Sequence, residues 1–415
     1  MQEPSPPLPK ADLILRGATE VLTCIATGAD PIGRRAGASI AIAGERILAV
    51  GAPEEIARQV DATHARVIDM AGKVVAPGFV DPHTHLVFGG SRVEEYAARM
   101  TRSVAEVRAL GIPSGIQATV EMTRRATLDE LTESAAARLA RMFRHGTTTV
   151  ESKSGYALTA AGELAMLRVN RRLREVQPVD VFSTFLGAHD FPADQPRERY
   201  LDSLIQEMIP RVAEAGLAEF CDVYCDDGYY TVAETRRILE AGLAAGLKPK
   251  IHVDAYADIG GSALAAELPV VSADHLNYTG RTAMQSYASA GVVGVVMPGL
   301  DFAVRHPRPF DARAMLVEGM TLALATDLCP GCWLESMQLV MQLACRLYAF
   351  SPEEALLAAT VGAAQALGLA DRGMLAPGKL ADIQVWDLPS FEDVIYRLGN
   401  NAVTMVVKRG KIYFM

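Results

Sequence analysis

The sequence predicts an α/β protein: a (β/α)8 TIM-like barrel with a small β-sandwich domain built from both chain ends. Three observations predict it. Between residues 76 and 372, short apolar runs alternate with amphipathic helical segments, and the number of strand–helix units suits an eight-stranded barrel. Residues 11–75 and 373–415 share another texture, short β-branched runs broken by glycine, which suggests one composite β domain. Histidine and aspartate follow directly on the apolar runs of the middle region, where a barrel places its chemistry. With 415 residues, half of them hydrophobic, the chain can bury a large core and an accessory one.

In chain order, MQEPSPPLPK is Pro-rich and polar, so residues 1–10 read as a disordered tail without the apolar stretch of a signal peptide. ADLILRGATEVLT, ASIAIAGERILAVG and ARVIDMAGKVVAPG read as short strands, with PEEIARQV the one helical pattern among them. The barrel strands are expected in KVVAPGFVDPH, TTTVESK, VDVFSTFLGAH, FCDVYCD, KPKIHVD, VVSADHL, GVVGVVMPG and TLALATD. Helices are expected in segments such as LDELTESAAARLARMFRHG, AGELAMLRVNRRLREV, YLDSLIQEMIPRVAEAG, VAETRRILEAGLAAG and PEEALLAATVGAAQALG. GMLAPGKLADIQVWD and NAVTMVVKRGKIYFM return to the β texture. No apolar run approaches the ~20 residues a bilayer span needs, and residues 291–300, the longest candidate, read as a buried strand. A formal charge of −9 argues against nucleic acid or an anionic membrane as partner and fits a cytoplasmic protein. Cys24, Cys221, Cys225, Cys329, Cys332 and Cys345 are expected to be reduced thiols.

The chain holds eight histidines. Five of them, His83, His85, His189, His252 and His275, end apolar runs; Asp254 and Asp274 stand at the ends of the same runs as His252 and His275, and Asp327 ends another. Alternation along a strand puts the two imidazoles of His83-Thr84-His85 on one face. Two such imidazoles, a third histidine and an aspartate make an N/O shell for one divalent ion, which lowers the pKa of its water and supplies hydroxide near neutral pH. The donor set accepts Zn, Fe, Mn or Ni.

PGFVDPHTHLVFGG, GTTTVESKSGY, TFLGAH, FCDVYC, SADHL, ALATD and GKLADI resemble, in that order, the amidohydrolase superfamily and within it the imidazolonepropionases, over about residues 70–390. The resemblance implies a metal held by His83, His85, His252 and Asp327, with His275 activating water and steadying the oxyanion. It implies that Arg92, Tyr156 and His189 hold a small substrate with a carboxylate, and that the protein is a homodimer. It also implies that Lys153 is structural, the family being mononuclear; the group Glu219, Asp222, Asp226 and Asp227 reads as a strand end and solvated loop.

Four departures fall at the expected pocket. Ala255 stands where the family has a glutamate, Cys329 and Cys332 replace an asparagine and a small hydroxyl residue, Ala105 replaces a tyrosine, and GIPSGI at 111–116 replaces a glycine-rich loop. The expected function is therefore hydrolysis of a five-membered nitrogen ring bearing a propionate, of imidazolone or hydantoin type. The alternatives are removal of a sulfur or S-methyl substituent from a thio-ring with help from Cys329, a true imidazolonepropionase, and a metal-binding pseudoenzyme. In the sulfur reading Cys329, beside the metal, has a lowered pKa and contacts the ring together with Cys332.

Overall fold

The computed structural model describes residues 7–415. Eight parallel strands form the barrel in sequence order: Phe79–Asp81, Thr147–Lys153, Asp180–Ala188, Phe220–Cys225, Ile251–Val253, Ser272–His275, Val293–Val296 and Leu322–Leu324. Parallel neighbours need crossovers, and the helices supply them. Leu128–Arg144 is typical. Thr127 and Glu130 form a capping box at its start, and Leu131, Ala135, Leu139 and Met142 make the buried stripe that faces the sheet. The circle closes just beyond the first and last strands, where the Asp327 amide donates to His83 O at 3.2 Å and the His85 amide to Leu328 O at 2.9 Å.

A four-stranded and a six-stranded sheet stand beside the barrel. Leu13, Ile40, Val75, Ile383 and Met405 share one core between them, so both chain ends contribute. The run KVVAPGFVDPH, expected to form one barrel strand, serves two sheets. Val74–Pro77 pairs antiparallel with Ile383–Trp386 outside the barrel, and Phe79–Asp81 enters it. The chain turns between them at Gly78, where a Cβ would sit 2.3 Å from Thr148 Cγ2, so only glycine lets the backbone pass that close.

Two expectations need correcting. Of the tail expected at 1–10, residues 1–6 lie outside the described residues. Pro9 and Lys10 are tied down, the Asp61 amide donating to Pro9 O at 2.9 Å and Lys10 bridging to Asp61. The stretch 291–300 is a strand only over Val293–Val296 and then begins the helix Pro298–Val304. Among the described residues no helix is long and apolar enough to cross a membrane.

Candidate metal centre

Alternation with period two decides which side chains enter the barrel. Glu151 and Lys153 share a face of their strand, as do Asp222 and Tyr224, Lys250 and His252, and Ser272 and Asp274. Inside, Lys153 Nζ lies 2.8 Å from Glu151 Oε1, 2.8 Å from Asp222 Oδ2 and 3.3 Å from Asp274 Oδ2. Lys250 Nζ lies 3.1 Å from Glu151 Oε1 and donates to Pro82 O at 3.1 Å, and the Thr184 hydroxyl donates to Glu151. All five charged groups are fully buried, and their charges are paired, as burial requires.

The histidines sit directly above this layer. His83 and His85 lie just past the first strand, in the extended segment bridged to Leu328. His83 Nδ1 is 2.6 Å from Asp274 Oδ2 and donates to it, which leaves Nε2 bare, 3.6 Å from Asp327 Oδ1. His85 Nε2 is also 3.6 Å from Asp327 Oδ1. His252 Nδ1 is 3.0 Å from Asp222 Oδ2, out of line for a hydrogen bond. Among the described residues, His83 Nε2, His252 Nε2 and Asp327 Oδ1 are buried with no hydrogen-bond partner. Donor atoms of His83, His85 and Asp327 lie within 4.8 Å of one another, as do those of His83, His252 and His275. Buried donors left bare around one point, with imidazole and carboxylate chemistry, fit a divalent ion.

Electrostatics keep these imidazoles neutral, the form that ligates. Burial, then the Lys153 ammonium, holds His83 and His252 far below the usual range, and burial, then His189, does so for His85. His275 is pushed down to about 4 and His189 likewise, in both cases by burial first. Burial raises Asp327, against the pull of Lys153. His275 and Asp327 have positive φ, +83° and +46°, a backbone conformation that side chains rarely adopt and that aims them from the strand ends.

His189 stacks on His85 with centroids 4.8 Å apart, and Tyr156 lies 5.1 Å from His189 and 5.5 Å from His85, so these three share one wall. Arg92 caps the helix Val93–Arg99 and is partly engaged: its Nε and Nη2 donate to Glu95 at 2.5 and 3.1 Å. Its Nη1 takes part in no hydrogen bond among the described residues and lies over the turn at Gly331. Cys329 and Cys332 face each other across a two-residue hairpin, with mutual amide-to-carbonyl bonds of 3.0 and 3.1 Å. Burial, then the Asp327 carboxylate, pushes the Cys329 thiol up. Burial and the carboxylate thus work against the lowering that a neighbouring cation would give.

Other expectations shift. Asp222 is no solvated loop residue but part of the barrel interior, and Asp226 is buried, accepting from the Tyr256 amide at 2.9 Å; Asp227 is exposed. Ala255 is buried beside Asp254, whereas Ala105 is exposed on Val104–Ala109. A cleft of about 630 Å³ adjoins the centre, lined by Arg92, Tyr96, Phe302, Cys332 and Trp333 but by none of the proposed ligands. Sequence reasoning missed Tyr224 and Tyr229. Tyr224 packs 6.2 Å from His275 and stacks on Tyr229 at 4.0 Å. Its spacing of two from Asp222 was the signal for Tyr224; Tyr229, on a loop, had none.

Comparison with known proteins bears on the family and the fold. The Amidohydrolase family profile matches residues 66–110 and 113–414. A protein called imidazolonepropionase in Symbiobacterium thermophilum is 43% identical, covering 97% of this chain and 97% of that protein. Its namesake in Geobacillus thermodenitrificans is 42% identical, covering 96% and 97%. Among solved structures, a zinc-bound adenosine deaminase from Xanthomonas campestris shares the fold with a TM-score of 0.75 at 19% identity, covering 99% of this chain and 94% of that one. Zinc-complexed atrazine chlorohydrolase from Arthrobacter aurescens does so at 0.69 and 18%, covering 96% and 94%. The profile over nearly the whole chain and the identity to these relatives make this protein a member of the amidohydrolase family, of its imidazolonepropionase-like group.

Proposed function

We propose that the protein hydrolyses a C–N bond of a small five-membered nitrogen ring bearing a propionate, an imidazolone or hydantoin type of substrate. The carrying observation is the set of buried bare donors on His83, His252 and Asp327, beside the neutral imidazole of His275. The names of the relatives support the substrate class. The ligands would be His83, His85, His252 and Asp327. A divalent ion held there supplies an acidified water and a Lewis acid for the ring carbonyl. Zinc is the proposed ion, as in the two structural neighbours.

The chain's own residues do the rest. His275, uncharged down to about pH 4, can take a proton from the attacking water and return it to the departing nitrogen. Asp327 shares that proton traffic, a larger duty here because Ala255 offers no carboxylate. Arg92 turns its free Nη1 to the propionate while Glu95 fixes the guanidinium plane. Tyr156 and His189 close the side of the ring site, and Cys329 and Cys332 line its wall. The exposed Val93, Tyr96, Phe302 and Trp333 suit the apolar contact of a homodimer.

The test is multiple turnover by the metal-loaded protein on imidazolone, hydantoin and thiohydantoin propionates side by side. Ring opening of an oxo-ring compound is expected. Absence of turnover on every ring would leave a metal-binding pseudoenzyme, and release of sulfide or methanethiol from a thio-ring would relocate the cleaved bond.

A further inference from the structure

We propose that Lys153 is a positioning residue for the metal: one buried ammonium holds the two carboxylates behind two of the ligands, one hydrogen-bonded to His83 and the other in contact with His252. The inference rests on the reading of His83 and His252 as ligands. Asp274 and Asp222 each present the same oxygen to both partners. Asp274 Oδ2 lies 2.6 Å from His83 Nδ1 and 3.3 Å from Lys153 Nζ. Asp222 Oδ2 lies 3.0 Å from His252 Nδ1 and 2.8 Å from Lys153 Nζ.

The rest of the layer does not need Lys153 for this. Glu151 already has Lys250 and the Thr184 hydroxyl, and the second oxygen of Asp274 is taken by the Ser272 hydroxyl at 2.7 Å. Lys250 acts on Asp222 and Asp274 from farther off, whereas Lys153 contacts both, and the two carboxylates offer oxygens within 4.8 Å of each other. Without Lys153 the two carboxylates would repel each other across that gap and be free to turn away from their histidines. One side chain on the second strand thus reaches the carboxylates behind two ligands, His83 just past the first strand and His252 on the fifth. A carboxylate behind a ligating histidine fixes its tautomer and raises its basicity, and removal of such a partner typically weakens metal binding by about 10–100-fold.

Lys153→Met keeps the length of the side chain and removes the charge. The expected result is a divalent-metal dissociation constant, measured by chelator competition, raised about 10–100-fold, with altered d–d bands in the cobalt-substituted protein. Asp222→Asn and Asp274→Asn should move the same way. Lys153→Met on top of Asp222→Asn should add less than it does alone, because the two share one path. An unchanged dissociation constant in Lys153→Met, with only a lowered melting temperature of the metal-free protein, overturns the proposal, as does full additivity in the double variant. Should Lys153→Met not fold, the two Asn variants carry the test, and unchanged metal affinity in both overturns it. Failure of the parent protein to bind any divalent ion would instead count against the ligand set.

Discussion

Beneath the ligands, Glu151, Lys153, Asp222, Lys250 and Asp274 come from strands, are fully buried and hold one another through ion pairs. On the side facing the cleft, Arg92, Tyr96, Phe302, Cys332 and Trp333 come from a helix cap, short helices and a hairpin, and Phe302 and Trp333 remain 65% and 49% exposed. The difference teaches where such a protein can change. A strand-borne charge in the floor cannot be altered without stranding its partners in low dielectric. A group on the wall has only solvent or a ligand to satisfy. The departures from the family pattern at Cys329 and Cys332 lie on that wall, while the ligand set is complete.

Substitutions across this divide should differ in size. The largest effect is expected in the shell: Asp327→Ala and His252→Ala should lose the bound metal by elemental analysis. Turnover should fall by several kcal/mol of transition-state stabilisation, about 10³-fold or more. Full metal and full rate in both would separate the chemistry from this floor altogether.

Next comes the response of the metal-free protein to acid. His189 and His275 titrate near 6.5 when unfolded and are held down to about 4 by burial. The unfolded chain therefore binds more protons between these values, and stability present above pH 6.5 is lost as pH falls toward 4. The shift is worth roughly 3 kcal/mol for each histidine. Denaturant titrations at pH 7 and pH 4.5 should show the loss, and His189→Gln should remove its share. A stability flat across this window would mean that the two imidazoles titrate in the folded protein as they do in the unfolded chain.

On the wall, Arg92→Met should raise KM for a ring propionate, by about 2 kcal/mol in kcat/KM, with kcat less affected because only Nη1 is free to engage the substrate. An unchanged KM would move the carboxylate contact to another arginine. The smallest effects are expected for Cys329→Ser and Cys332→Ser, within about tenfold in kcat, since both thiols are buried and burial pushes both up. A loss beyond a hundredfold in either would give that thiol a reacting role and make the wall as demanding as the floor.

The sequence made the floor more legible than the wall, for a physical reason. TTTVESK, FCDVYC and SADHL fold as strands, and period two then determines which side chains meet. The same rule could have placed Asp222 inside, had FCDVYCD been read by alternation rather than as a strand running into an acidic loop. The engagement of Arg92 by Glu95 could be suspected from their spacing of three on a helix. The exposure of Ala105 and the stacking of Tyr229 could not, because they depend on how short loops lie over the barrel mouth. Nor does any residue pattern announce the positive φ of His275 and Asp327.

The six-stranded sheet has an implication for how the chain is made. Its order sets three strands from the C-terminal end beside three from the N-terminal end, and the two groups meet at one seam, where Val74–Pro77 is registered against Ile383–Trp386 at pairs such as Ile383 with Pro77. The partner of that early strand leaves the ribosome some three hundred residues later, so the edge waits unpaired through most of synthesis. The first barrel strand follows directly after it, and the waiting edge therefore borders the segment that carries two of the histidines. Nascent chains stalled before residue 380 should expose this edge to chaperones or to one another, and release of the C-terminus, rather than barrel closure, becomes the event that commits the fold.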